Sequence, residues 1–311
     1  MSRPPRHHAL DRSLERSTVG ALVPIITLVP VWLLALVVFW LPLRPFWTIP
    51  FWMFALIHLA GVVVMFVRPL QAVLVMRMLG ARRADADQAR RLEPAWRSVA
   101  QQLGIPPRRY ALAVLPSEEL NAFACGGSLL VVTAYAIEAL PRDEMTGVLA
   151  HELAHHLGLH TVALTIRQWM SLPIFLLAEV GFFLQNVATA ATNSFVSHSS
   201  ALSAVGRLIS SILFGFSWIF LSGLILSNRI ANRAGRASEF EADRRAVAMG
   251  FGRELATALR RVEYEAQRGD RSSTPQTLRE GLQQTHPSAR SRVQRIEALR
   301  RQAAQQQRSM R

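Results

Sequence analysis

Two consecutive uncharged runs, Ala21–Leu43 and Pro45–Val67, constrain this chain more than any other feature. Each is 23 residues long, about 34 Å as a helix, enough to cross a hydrocarbon layer of roughly 30 Å. A helix satisfies its own backbone groups in lipid, so these runs are read as a membrane-spanning hairpin turned by Leu41-Pro42-Leu43-Arg44-Pro45. Pro24 and Pro30 are expected to kink the first span. That run is too long for a cleavable signal peptide and lacks a small-residue cleavage site, so it reads as an anchor.

Two later segments extend the pattern. Leu208–Ser227 is apolar and uncharged, whereas Trp169–Ala191 is interrupted by Glu179, Gln185 and Asn186. Four spans are therefore expected. The chain is 50% hydrophobic yet carries a net charge of +14, and all 35 basic residues are arginine. Arg68, Arg77, Arg82, Arg83, Arg90, Arg91 and Arg97 follow the second span, and Arg229, Arg233 and Arg236 follow the last. Thr192–Gly206, between the later spans, holds Arg207 only beyond its end. The positive-inside rule then places both termini in the cytoplasm. No aromatic-basic interleaving or nucleic-acid motif accompanies the arginines, so the expected partner is a lipid bilayer and not nucleic acid. The single cysteine, Cys125, precludes an internal disulfide, fits a reducing compartment and lacks a base of its own. An ionisable Glu179 at membrane depth is costly: it is protonated, faces a partner helix, lies in a segment not fully inserted, or serves a function.

The resulting organisation is a flexible cytoplasmic N-terminus (1–20), a transmembrane hairpin (21–67), the first part of a soluble domain (68–165), a second transmembrane pair (169–227) and the rest of the soluble domain (228–311). Ala84–Leu103 is predicted helical and able to continue the second span. Ala111–Leu115 and Leu129–Thr133 are β-type runs, and Gly126-Gly127 signals a hairpin between Asn121–Cys125 and Ser128–Thr133. Asp143–Gly158, Glu254–Gln267 and Ser288–Arg301 read as helices, with a frayed glutamine-rich tail.

The chemistry is concentrated in His151-Glu152-Leu153-Ala154-His155. Residues four apart share a helix face, so His151 and His155 can bind one Zn2+ together, with Glu152 placed to take a proton from water. The competing reading is an amphipathic helix whose histidines face water. A third ligand decides between them. Glu239 supplies it, and Asp243 lies one turn further on, placed to accept the second N–H of a ligand histidine. His155 lies about ten residues before one span and Glu239 about ten after the next, which puts the metal within roughly 15 Å of the cytoplasmic membrane surface. The strand Asn121-Ala122-Phe123-Ala124 could hold an extended substrate by adding it to the sheet edge. His7, His8, His156, His160 and His198 form no second metal constellation and are expected at surfaces or interfaces.

These residues resemble the HtpX-like membrane zinc metalloproteases, relatives of the CaaX prenyl-protein endopeptidases. The resemblance runs from about Arg68 to Arg292 and includes the order of parts. Matching residues are Asn121–Ala124, Gly147–His155, Arg236, Glu239-Phe240, Ala242-Asp243 and His286-Pro287. It departs at Gly235, where the family often has serine, and at Cys125, where a small polar residue is usual. The resemblance implies a mostly α integral membrane protein of the bacterial inner membrane, with about four transmembrane helices and a cytoplasmic α+β zincin-like (gluzincin) catalytic domain containing a small β-sheet. It implies one Zn2+ per chain on His151, His155 and Glu239, with Glu152 as base, Asp243 behind the metal set, and His286 donating to the tetrahedral oxyanion. Substrates would be polypeptides, membrane or misfolded proteins in quality control and stress response. The alternatives are a specific processor of lipidated or signal-like peptides and a non-catalytic zinc-binding scaffold; the scaffold would be expected to lack Glu152 or a ligand.

Overall fold

The computed structural model of the 311-residue chain describes residues 8–67, 73, 76–77, 79–125, 128–157, 160–195, 200–269 and 287–309. Helices α1 (His8–Leu43) and α2 (Phe51–Val64) come first. Then follow α3 (Ala86–Gln102), a 3-10 turn (Pro107–Arg109), β1 (Ala111–Leu115), β2 (Ala122–Cys125), β3 (Leu129–Thr133), α4 (Ala134–Ala139) and α5 (Arg142–Leu157). The chain continues through α6 (His160–Phe195), α7 (Ser200–Ala248), α8 (Gly252–Gly269) and α9 (Ala289–Ser309). These elements cluster into two units, one of residues 22–63 and 166–231, the other of 1–21, 64–165 and 232–311.

The first unit is apolar and helical. Leu28, Trp32, Ala35 and Leu36 form a stripe on α1 that packs with Ala55, Ile174, Leu177, Phe220 and Leu224. Its helices also approach through small residues, the usual device where lipid is as apolar as the side chains. A Cβ on Gly223 would fall 2.6 Å from Val31, and one on Gly181 or Gly206 would meet the Ser217 or Thr192 hydroxyl. Thr189 and Ser210 share a hydroxyl hydrogen bond of 2.7 Å. The Ser227 hydroxyl donates to the Pro24 carbonyl at 3.1 Å.

Several expectations change here. Among the described residues, three helices are long and apolar enough to cross a membrane, in segments Leu22–Leu43, Thr161–Ser194 and Ser200–Ala248. The run Pro45–Val67 gives only a 14-residue helix, because Pro50 holds the residue before it out of the α region. At about 21 Å, that helix is shorter than the hydrocarbon layer. Residues 8–20, expected to be flexible, belong to α1, and no glycine or proline interrupts them before Gly20. Within Thr192–Gly206, expected to connect the later spans, α6 continues to Phe195 and α7 begins at Ser200. The polar side chains there fold back onto the helices, Thr192 donating to Ala188 O at 2.7 Å and Ser203 to Ser200 O at 2.9 Å.

The second unit holds a three-stranded sheet in the order β1-β3-β2, with β1 parallel and β2 antiparallel to β3. The two glycines expected to turn the β2–β3 hairpin lie outside the described residues. One face of the sheet, with Leu130 and Val132, packs on Leu92, Trp96 and Val99 of α3 and on Leu149 and Leu153 of α5. The other face carries Ala113, Leu129 and Val131, with half-buried Phe123 and Cys125 beside them. Helix α3 does not continue the second span: Gly80 turns with φ 68, Arg82 bridges to Val114, and Asp85 starts the helix afresh in a capping box with Gln88. Helix α7 stops at Gly250 (φ 97), where Phe251 N–H reaches back to Ala246 O at 2.9 Å. The tail expected to fray is helical to Ser309.

Candidate metal centre

Helix α5 begins after Pro141, with Asp143 and Glu144 favourably placed in its first turn. It is gripped at three places. Gly147 permits backbone contact, since a Cβ there would lie 2.6 Å from the carbonyl carbon of Glu254 at the start of α8. Buried Glu144 accepts two hydrogen bonds from Arg261 of α8, at 2.6 and 2.9 Å. At the other end, Arg245 of α7 donates to Ala154 O at 3.2 Å, capping carbonyls of the last turn.

This framework brings His151, His155 and Glu239 together, all buried, with candidate ligand atoms within 4.8 Å of one another. His151 Nε2 lies 3.4 Å from Glu239 Oε2, and His155 Nε2 lies 3.3 Å from Glu239 Oε1. Tetrahedral zinc with bonds near 2.0–2.1 Å separates neighbouring ligand atoms by about 3.3 Å, so the donor set fits that ion in type and spacing. The second nitrogens are engaged as well: His151 Nδ1 lies 3.0 Å from Asp243 Oδ1, and His155 Nδ1 lies 3.4 Å from the Ser238 hydroxyl. Phe240, next to Glu239, is covered by the Arg295 guanidinium at 4.5 Å.

Arg292, on α9, was not singled out from sequence. It forks onto Asp243 at 2.9 and 2.7 Å, lies 3.1 Å from Glu239 Oε2, and has Nη2 within 3.2 Å of both ring nitrogens of His151. One arginine thus faces two buried carboxylates and the ring of a candidate ligand. The charges act on one another. Burial and the Arg292 cation pull His151 down, but hydrogen bonds to Asp243 and Glu239 prevail and raise it to about 9. Burial opposes the Asp243 charge, yet His151 and Arg292 hold its carboxyl below the usual range. Burial also opposes the Arg292 charge, but the Asp243 pairing prevails and raises it.

Glu152 is buried on the same helix turn, and burial pushes its carboxyl up. Its Oε2 accepts the Ala124 N–H at 2.9 Å. Strand β2 is at the sheet edge, and Thr133 N–H donates to Asn121 O at 3.0 Å, so alternation turns the backbone groups of Ala122 and Ala124 to the open side. Asn121 precedes the strand, with its N–H donating to the Thr133 hydroxyl at 3.1 Å. Phe123 points to the sheet's other face. His286 lies outside the described residues.

His156, expected at a surface or interface, is buried. Its Nε2–H donates to Leu129 O at 3.1 Å, its Nδ1 accepts from the Thr161 hydroxyl at 3.2 Å, and burial lowers it to about 4. It is a neutral peg between the end of α5 and the sheet.

The family model described as Peptidase family M48 matches residues 86–300, which contain every element of the site. This chain belongs to peptidase family M48. A protease HtpX homolog from Acaryochloris marina is 31% identical over 228 residues, covering 68% of this chain and 72% of the relative. One from Thermococcus sibiricus is 26% identical over 245 residues, covering 73% and 79%. Among solved structures, the crystal structure of S. mikatae Ste24p aligns over 90% of this chain and 66% of that chain, with 18% identity and a TM-score of 0.49. This M48 member is accordingly an HtpX-like membrane protease, and its His151–His155–Glu239 group is its candidate metal centre.

Proposed function

We propose that this M48 member is a zinc endopeptidase that cuts unfolded or membrane-derived polypeptides at the cytoplasmic face of the membrane, in membrane-protein quality control. The observation that carries the reading is the convergence of His151, His155 and Glu239 beside a buried Glu152 that touches an open sheet edge. His151, His155 and Glu239 would hold one zinc ion. When bound, zinc would polarise the scissile carbonyl and make water a nucleophile near neutral pH.

The chain's own residues do the rest. The open edge of β2 receives an extended peptide through backbone hydrogen bonds, which suits substrates without a fixed sequence. Glu152 takes a proton from the attacking water and returns it to the departing amine, and a carboxyl raised by burial is suited to both steps. Asp243 and Ser238 fix the ring orientations of His151 and His155. Arg292 keeps Asp243 ionised and in place. The resemblance assigns His286 to the oxyanion, a contribution worth roughly 2–4 kcal/mol when such a donor is preorganised.

The cytoplasmic assignment is supported by the arginines that follow the apolar runs Pro45–Val67 and Leu208–Ser227. The test is cleavage of an unfolded polypeptide added outside sealed vesicles of known protein orientation. Cutting only where the arginine-rich side faces out is expected. Cutting only in the opposite orientation would defeat the assignment, and no cutting in either would defeat the endopeptidase reading.

A further inference from the structure

Glu179 lies on α6 and is exposed, on a face with Phe175, Leu176, Val180 and Phe183, which are 55, 50, 44 and 66% exposed. It makes no hydrogen bond or ion pair to another described residue. Its depth follows from the pairing of α6 with α7. Gly181 meets Ser217, Thr189 bonds Ser210, and Gly206 meets Thr192, an antiparallel register that sets Glu179 level with about Ile219. Within Leu208–Ser227 that is eight residues from one end and eleven from the other, roughly 12 and 17 Å. The carboxyl group is therefore near the bilayer midplane and faces outward, where an uncompensated charge is costly.

Among the described residues of this unit, none compensates it. Arg167 and Arg207 are each about twelve residues away in level, roughly 18 Å, Arg229 is about 15 Å away, and Arg44 lies beyond the end of α1. His58 is engaged near the level of Trp169, ten residues off, where it accepts from Trp32 and its carbonyl accepts from Trp169. A second copy docked through this face would bring another Glu179 and no cation at that depth. The complement that would neutralise an ionised Glu179 is an apolar helix with a basic side chain at its middle.

We propose that Glu179 and its apolar flanks form an intramembrane recognition surface for transmembrane helices that carry an unpaired Arg or Lys near the bilayer midplane. This rests on the endopeptidase reading and names its substrate class. A basic residue left without its partner in lipid is a physical mark of an orphaned or misassembled membrane protein. Docking on α6 would hold such a helix in the bilayer.

The test uses the full chain carrying Glu152→Gln, reconstituted in phospholipid vesicles, and reads association by energy transfer from a labelled single-span Leu/Ala helix with Lys or Leu at its centre. Interhelical polar pairs in membranes support a preference of roughly three- to tenfold for the Lys helix. Adding Glu179→Leu should bring the ratio to about one, and Glu179→Lys should transfer the preference to a helix with central Glu. Equal association of both helices, or a preference that survives Glu179→Leu, would overturn the proposal. So would self-association of the chain that Glu179→Leu abolishes without any Lys preference, which would assign the face to a second copy. Because docking is read without cleavage, loss of cleavage by the unsubstituted chain would count against the endopeptidase reading alone.

Discussion

The span unit and the catalytic unit are held together by opposite means. Between spans, contacts are made by what is absent: Gly181, Gly206 and Gly223 let helices close, and single hydroxyl bonds such as Thr189–Ser210 add a little. Around the metal centre, contacts are made by charge. Arg292, Arg261 and Arg245 each tie α5 or α7 to a neighbouring element through buried carboxylates or carbonyls. A buried charge left alone costs several kcal/mol, whereas a lost hydroxyl bond between spans costs a fraction of one. The catalytic unit is therefore the more sensitive to single polar substitutions, and the span unit to added bulk.

The sharpest break is at the ligands. His155→Ala should abolish zinc retention and cleavage together, as read by metal analysis and peptide hydrolysis; full zinc in this variant would remove His155 from the ligand set. Next in size, Arg292→Ala leaves the buried carboxylates of Asp243 and Glu239 without the Arg292 cation, and should destabilise the catalytic unit by about 3–5 kcal/mol in thermal unfolding. A change below about 1 kcal/mol would show that Arg292 does not organise the site.

In the span unit, Gly181→Val forces a side chain onto Ser217 and should cost about 1–3 kcal/mol, with zinc content unchanged. Zinc loss in that variant would blur the distinction between the units. Thr189→Ala should be the mildest, near 0.6 kcal/mol in unfolding within detergent, with cleavage intact. A loss as large as that of Arg292→Ala would invert the comparison.

The same contrast explains what the sequence could tell. His151 and His155 were legible because their four-residue spacing is local and helical, and Glu239 with Asp243 because the pair repeats that spacing. Strands β1 and β3 were legible as apolar runs, but their parallel pairing was not, since it depends on contacts between distant segments. Arg292 was hidden among 35 arginines, and only its place shortly after His286-Pro287 could have drawn notice. Ser238 and His156 each take their meaning from one long-range partner, His155 Nδ1 and Leu129 O respectively. Helix ends in the spans are hard to read for a related reason. Thr192 and Ser203 look like loop residues until their hydroxyls are seen bonded within α6 and α7.

The central claim is that a metal set and a separate base act together on a peptide bond, and one measurement addresses it most directly. Zinc content and cleavage of an unfolded protein are measured on the same detergent-purified samples of the unsubstituted chain and Glu152→Gln. The account predicts about one zinc per chain in both, with cleavage lost by roughly 100-fold or more in Glu152→Gln. Full activity of Glu152→Gln, or no zinc in either sample, would contradict it.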